Sequence, residues 1–89
     1  MEDKIVKKED EWKFFEFLHC GNNNYVKKTK ILGIMRKSGN AATNILDRAK
    51  LDGRFLNFAG GKTSRSLIIM EEGTVVSSSF TPQELINGY

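Results

Sequence analysis

This sequence holds a single cysteine, a single histidine and a single proline. One cysteine excludes an internal disulfide. Cys20 and His19 alone are too few for a zinc site within one chain. They are also adjacent, and neighbouring side chains of a strand point to opposite faces, so they form no Cys–His dyad with each other. The plainer reading is a sheet histidine beside a buried thiol. No apolar run approaches the roughly 18 residues of a membrane span. Met1-Glu2-Asp3-Lys4 lacks the basic start and apolar core of a signal peptide. These absences predict a cytoplasmic protein with no membrane partner.

Catalytic signatures are missing too. Asp47 and Asp52 lie among cations and Glu71-Glu72 falls at a turn, so no carboxylate pair is set for acid–base work. Gly61-Lys62-Thr63 invites comparison with a phosphate-binding P-loop. That pattern needs glycine five residues earlier, where Leu56 stands, and a helix afterwards, where a strand-like run follows. The expectation is a non-enzyme without cofactor or small-molecule substrate.

What is present is uneven charge. The net +3 conceals an acidic start: residues 1–11 carry three lysines and five carboxylates. Residues 27–65 carry ten cations against Asp47 and Asp52, and residues 66–89 have three glutamates and no cation. A basic middle of this kind suits one face built to meet phosphate, although a well-solvated surface is the plainer alternative. A chain of 89 residues makes one small domain with a marginal core, for which oligomerisation helps. Residues 1–11 read as a charged tail and 12–89 as the domain.

The aromatic run 12–20 reads as a strand, with Phe15, Phe17 and His19 on one face and Trp12, Phe14, Leu18 and Cys20 on the other. Gly21-Asn22-Asn23-Asn24 is a turn. Residues 25–36 follow as strand material, placing Lys28 and Lys30 on one face, with Gly33 marking a bulge or close approach. Ala41, Ala42, Ile45, Leu46 and Ala49 form an apolar stripe on a helix over 40–52, capped by Asn40 or Ser38 and closed by Gly53. Residues 54–59 form a short strand and 66–71 a central strand buried on both faces. Glu72-Gly73 is a two-residue hairpin connection to a strand over 74–79. Thr81-Pro82-Gln83-Glu84 is a capping box with Phe80 and Leu85 as staple, opening a short helix. The order β–β–α–β–β–β–α predicts an α+β domain with a mostly antiparallel sheet. Trp12, Phe14, Phe15, Phe17, Tyr25, Phe55 and Phe58 could stack on bases, but most are needed for the core.

The loop Gly60-Gly61-Lys62-Thr63-Ser64-Arg65 is the leading candidate site. Its glycine amides, cations and hydroxyls can hold a phosphate oxygen, while a solvated hairpin loop is the alternative. From about Phe17 onward the chain resembles the RemA-type regulators of extracellular-matrix (biofilm) genes in bacteria. The resemblance rests on Gly21-x-x-Asn24, on the run from Ile45 to Gly53, on Gly61-Lys62-Thr63-Ser64-Arg65-Ser66 leading into Leu67-Ile68-Ile69-Met70, and on Ser77 to Leu85. It implies a DNA-binding transcriptional regulator assembled as a ring-shaped homo-oligomer. The family loop reads Gly-Arg-Arg-Thr-Arg, and its arginines contact DNA. Lys62 takes the first of these positions, Arg65 the last, and Lys30 matches an earlier basic position. Thr63 stands in place of the second arginine, and Ala41 in place of a proline. The expected DNA-binding set is thus Lys28, Lys30, Lys62, Thr63, Ser64 and Arg65. The second hypothesis is a homo-oligomeric interaction module whose basic face serves a protein or RNA partner.

Overall fold

The computed structural model describes residues 16–87. The 1–11 tail lies outside them, as do Trp12, Phe14 and Phe15 of the first expected strand. The elements run β1 (Phe17–Gly21), β2 (Asn24–Lys27), a 3-10 turn (Lys28–Lys30), β3 (Ile31–Arg36), α1 (Gly39–Leu51), β4 (Phe55–Asn57), β5 (Ser66–Met70), β6 (Val75–Ser78) and α2 (Pro82–Ile86). The described residues form an α+β domain with mixed sheets and, from Phe17 onward, two helices. β1 and β2 form a separate hairpin, and the other strands make a sheet ordered β3-β5-β6-β4. Three of the four pairings are antiparallel, but β4 lies parallel to β6.

That order follows from where the apolar side chains fall. β5 is apolar at four successive positions, so both of its faces need cover. Leu67 joins Val75 and the α1 residues Ala42, Leu46 and Ala49, with Ile69 packed against them. Ile68 and Met70 join Val76, the hairpin residues Leu18, Cys20 and Val26, and Leu85 of α2. Leu67 and Ile68 have no exposed surface. Full burial of such side chains stabilises by about 1.5–3 kcal/mol each. The result is three layers: α1, the sheet, and the hairpin with α2. The small Ala42 and Ala49 let α1 sit close to the sheet. Ala41, placed on the same stripe by the sequence, is exposed, because it lies one step round the helix from Ala42.

The turn chemistry is local. Asn22 and Asn23 both adopt positive φ, 54° and 61°, the arrangement a two-residue hairpin turn with right-handed twist requires. The capping box at Thr81 forms as expected: its hydroxyl accepts from Glu84 N–H, and the Glu84 carboxylate accepts from Thr81 N–H. Ser38 rather than Asn40 precedes α1, and its side chain makes no capping bond.

Two expectations change. Residues 25–36 do not form one strand, because the 3-10 turn at Lys28–Lys30 ends the hairpin and starts β3 in the second sheet. Lys28 and Lys30 therefore do not share a strand face, and the described residues hold six strands rather than the five expected. The β5–β6 connection is Glu71-Glu72-Gly73-Thr74, not two residues: Gly73 N–H donates to Met70 C=O at 3.0 Å, Met70 N–H donates to Thr74 C=O at 2.8 Å, and Gly73 has φ 99°. A β-turn closed by a left-handed glycine suits a glycine that comes third. The bulge expected near Gly33 is present, as a register shift between Ile31 and Gly33 against β5.

Candidate nucleic-acid interface

Strands β3, β4 and β6 run one way through the sheet and β5 runs back. One end of the sheet is thereby shared by the last residues of β3, β4 and β6 and by Ser66, the first residue of β5. The loop over 58–65, which connects β4 to β5 across β6, sits at this end. Its stems are pinned. Phe58 N–H donates to Ser77 C=O at 3.0 Å, Arg65 N–H donates to Ser78 C=O at 2.8 Å, and Lys37 N–H donates to Arg65 C=O at 3.0 Å. Lys62 N–H closes a turn on Ala59 C=O at 3.2 Å. Gly60 has φ 64°, and a Cβ there would meet the Asn22 side-chain amide at 3.0 Å, so the loop also leans on the tip of the β1–β2 hairpin.

Three buried serines tie this end to the core. Ser78 Oγ donates to Cys20 C=O at 2.7 Å and accepts from Phe80 N–H at 3.1 Å. Ser66 Oγ donates to Phe80 C=O at 2.8 Å, and Ser77 Oγ to Asn57 Oδ1 at 2.9 Å. Burying hydroxyls costs little once each has a partner. The Cys20 thiol beneath them is pushed up to about 11 by burial, so it stays protonated.

The loop residues divide between two concavities. Lys62, Thr63 and Arg65 line the larger, ≈ 720 Å³, with Ser79, Thr81 and Glu84 of the α2 start. Lys62 also lines a smaller one, ≈ 250 Å³, which Ser64 shares with Lys37, Lys50 and Asn57. Arg36 pairs with Ser66, beside Arg65. Arg36, Lys37, Lys62 and Arg65 thus crowd one end of the sheet, all exposed.

Lys28 and Lys30 lie elsewhere. The Lys30 carbonyl accepts from Glu71 N–H at 2.8 Å, and Ile31 pairs with Met70, which puts the 3-10 turn at the opposite end of the sheet beside Glu71-Glu72. The six residues of β3 separate the two ends by roughly 17 Å. The structure therefore gathers Lys62, Thr63, Ser64 and Arg65, and keeps Lys28 and Lys30 away from them within one chain. Sequence reasoning missed Arg36, Lys37, Lys50 and Asn57. The signal for the first two exists only in the β3–β5 register, which pairs strands that are not neighbours in the chain.

Among the described residues, no group of three or more His, Cys, Asp or Glu side chains could hold a metal ion, and no helix is long and apolar enough to cross a membrane. His19 stacks on its cross-strand partner Tyr25, with ring centroids 4.9 Å apart and an interplanar angle of 29°, and meets Phe80 edge-on at 5.4 Å.

The family model described as "RemA-like: Extracellular matrix regulatory protein A-like" matches residues 17–87, nearly the whole described domain. The chain belongs to the RemA-like family. It is 33% identical over 70 residues to a "Putative regulatory protein" of Finegoldia magna, covering 79% of this chain and 84% of that one. It is 30% identical over 71 residues to a similarly named protein of Coprothermobacter proteolyticus, covering 80% and 68%. One from Bacillus cereus is 38% identical over 58 residues, covering 65% and 54%. Membership of the RemA-like family supports a regulatory role.

Proposed function

We propose that this RemA-like chain regulates transcription of extracellular-matrix genes in the cytoplasm by binding the phosphate backbone of duplex DNA as a ring-shaped homo-oligomer. The observation that carries the reading is the crowding of Arg36 and Lys37, at the end of β3, with Lys62 and Arg65, on a loop whose stems are hydrogen-bonded to β6 and to Lys37. A fixed cationic edge holds its charges at a set spacing and loses little entropy on meeting phosphate.

Assembly supplies what one chain lacks. Lys30 and the loop lie at opposite ends of the sheet, so a head-to-tail arrangement sets Lys30 of one subunit near the loop of the next. Leu32 on the β3 edge is 72% exposed and Ile86 on α2 is 73% exposed, which supports burial between subunits. Several loops along one duplex then act at high effective concentration, although each makes few contacts. Thr63 in place of an arginine leaves fewer charges per subunit, which makes repetition count for more. Sequence preference comes from the bendability of the DNA rather than from base contacts.

The test is duplex binding across a salt series with Lys62→Ala/Arg65→Ala. The expected result is weaker binding and a slope of log K against log salt that is shallower by about one for each phosphate no longer neutralised. Unchanged affinity and slope would remove the loop from the interface. Stronger competition by single-stranded RNA than by duplex DNA would favour the RNA-binding interaction module.

A further inference from the structure

We propose that the smaller concavity beside the loop is a seat for one backbone phosphate, built by Lys37, Lys50, Lys62, Asn57 and Ser64. This rests on the duplex-binding reading above and extends it to residues outside the loop. Three lysines from three different elements line one hollow, and no carboxylate lines it. Like charges brought together without a counter-charge repel one another, and an anion in the hollow relieves them. Lys50 is held in part by the Phe55 ring, 5.4 Å from its Nζ.

The neutral residues have donors to spare. Asn57 Oδ1 already accepts two hydrogen bonds, from Ala59 N–H at 3.0 Å and from Ser77 Oγ at 2.9 Å. Those donors fix which side of the amide is oxygen, and they leave its NH₂ as the group available to a guest. Ser64 Oγ is shut off from solvent and has no hydrogen-bond partner among the described residues. A buried hydroxyl without a partner is costly, and rotating it toward a bound oxygen breaks no existing bond. Apart from Leu46 and Phe55, the hollow is thus lined by residues that carry donors. At ≈ 250 Å³ it falls below the ~300–1,000 Å³ of small-molecule pockets. That size suits a single phosphate group rather than a whole nucleotide. Lys62 lines both concavities, so a duplex strand crossing the loop can set successive phosphates on either side of it.

The discriminating variant is Asn57→Asp. It keeps the oxygen that Ala59 and Ser77 bind and places a negative charge where the amide donors stood. Lys37→Met/Lys50→Met removes two charges while keeping their aliphatic stems. Both variants, the wild type and Lys62→Ala/Arg65→Ala are titrated with a short duplex over a salt series, and all but Asn57→Asp are also titrated with inorganic phosphate followed on the Asn57 side-chain amide resonances. Urea unfolding verifies that each is folded, and Asn57→Asp carries the test if the double methionine variant is not. The expected result is several-fold weaker duplex binding by both seat variants, with a slope shallower by about one, and an Asn57 response to phosphate that Lys37→Met/Lys50→Met abolishes. Wild-type binding and slope in the seat variants, with weakened binding in Lys62→Ala/Arg65→Ala, overturns the seat and leaves the loop. Weakened binding in the seat variants alone overturns Lys62 as a seat residue, confines the seat to Lys37, Lys50 and Asn57, and removes the loop cations from the interface. A phosphate response at Asn57 without any effect of the seat variants on duplex binding overturns the backbone assignment in favour of a free phosphate ligand.

Discussion

The two ends of the sheet are made from the same strands and carry different electrostatics. At one end, Arg36 ends β3 and Lys37 follows it, Arg65 precedes β5, and Lys62 stands over two concavities, with Glu84 as the carboxylate lining either. Glu84 is itself engaged by Thr81 N–H in the capping box. At the other end charges are offset locally. Glu71 hydrogen-bonds through its amide to Lys30, Glu72 is adjacent, and Arg54 pairs with Asp52 at 2.7 Å while donating to Gly73 C=O. The Arg54–Asp52 pair is largely exposed and contributes little to stability. A modest net charge is therefore no guide to a surface: topology decides which cations stand together and which meet a carboxylate.

The cationic end is also the one wired to the core, and the largest expected effect comes from cutting that wire. Ser78→Ala leaves the buried Cys20 carbonyl and Phe80 amide without their partner. Stranding such groups costs about 1–3 kcal/mol each. A fall in stability of about 3 kcal/mol in urea unfolding is expected, with faster hydrogen exchange at Arg65 than at Gly73. Equal acceleration at both ends would show that the loop stem draws nothing special from Ser78.

A titration probes the same wiring. Burial raises the Cys20 thiol from 9.0 to about 11 in the folded chain. The folded value lies above the unfolded one, so the stabilisation is fully present below pH 9 and is lost as pH rises toward 11. The decrease from this group is about 2 kcal/mol. Subtracting the pH profile of Cys20→Ala isolates it from lysine and tyrosine ionisation. Identical profiles for the two proteins would mean that the thiol does not feel the core.

How far the sequence carried depended on whether the deciding contacts were local. The Asn22-Asn23 turn, the capping box at Thr81, the helix ending at Gly53 and the doubly buried β5 were all readable, because each is set by residues within a few positions or by period alone. The break at Lys28–Lys30 was not. Nothing in Tyr25-Val26-Lys27-Lys28-Thr29-Lys30 forbids continuing a strand; the hairpin must turn there because Val26 packs into one layer and Ile31 begins the next. The site was half legible. The loop from Gly60 to Arg65 announced itself by composition. Lys37 and Lys50 join it only through β3–β5 pairing and the return of α1 over the sheet, which no local pattern encodes, whereas Asn57 ends β4 just before the loop.

The far end offers a contrast with a smaller expected effect. Gly73 has φ 99°, and a Cβ there would run into the Arg54 guanidinium. Gly73→Ala should therefore cost about 1–2 kcal/mol through strain and a displaced Arg54. Its duplex affinity and salt slope should match the wild type at a temperature where both are folded, since no cation of the loop end is touched. A changed slope would mean that the two ends are coupled, through the sheet or through a neighbouring subunit.

The smallest expected effect decides between those routes. Lys30→Ala removes one charge at the far end, remote from the loop within its own chain. If subunits join head to tail, Lys30 stands beside the next subunit's loop, and its removal should reduce the salt slope by about one per phosphate it neutralises, without lowering the urea midpoint. The comparison is made at two protein concentrations, one above and one below the assembly threshold found by sedimentation. A slope change present only in the assembled protein assigns Lys30 to a shared edge between subunits. A change that persists in the monomer places phosphate at both ends of a single sheet, and no change at either concentration leaves the loop end as the whole interface.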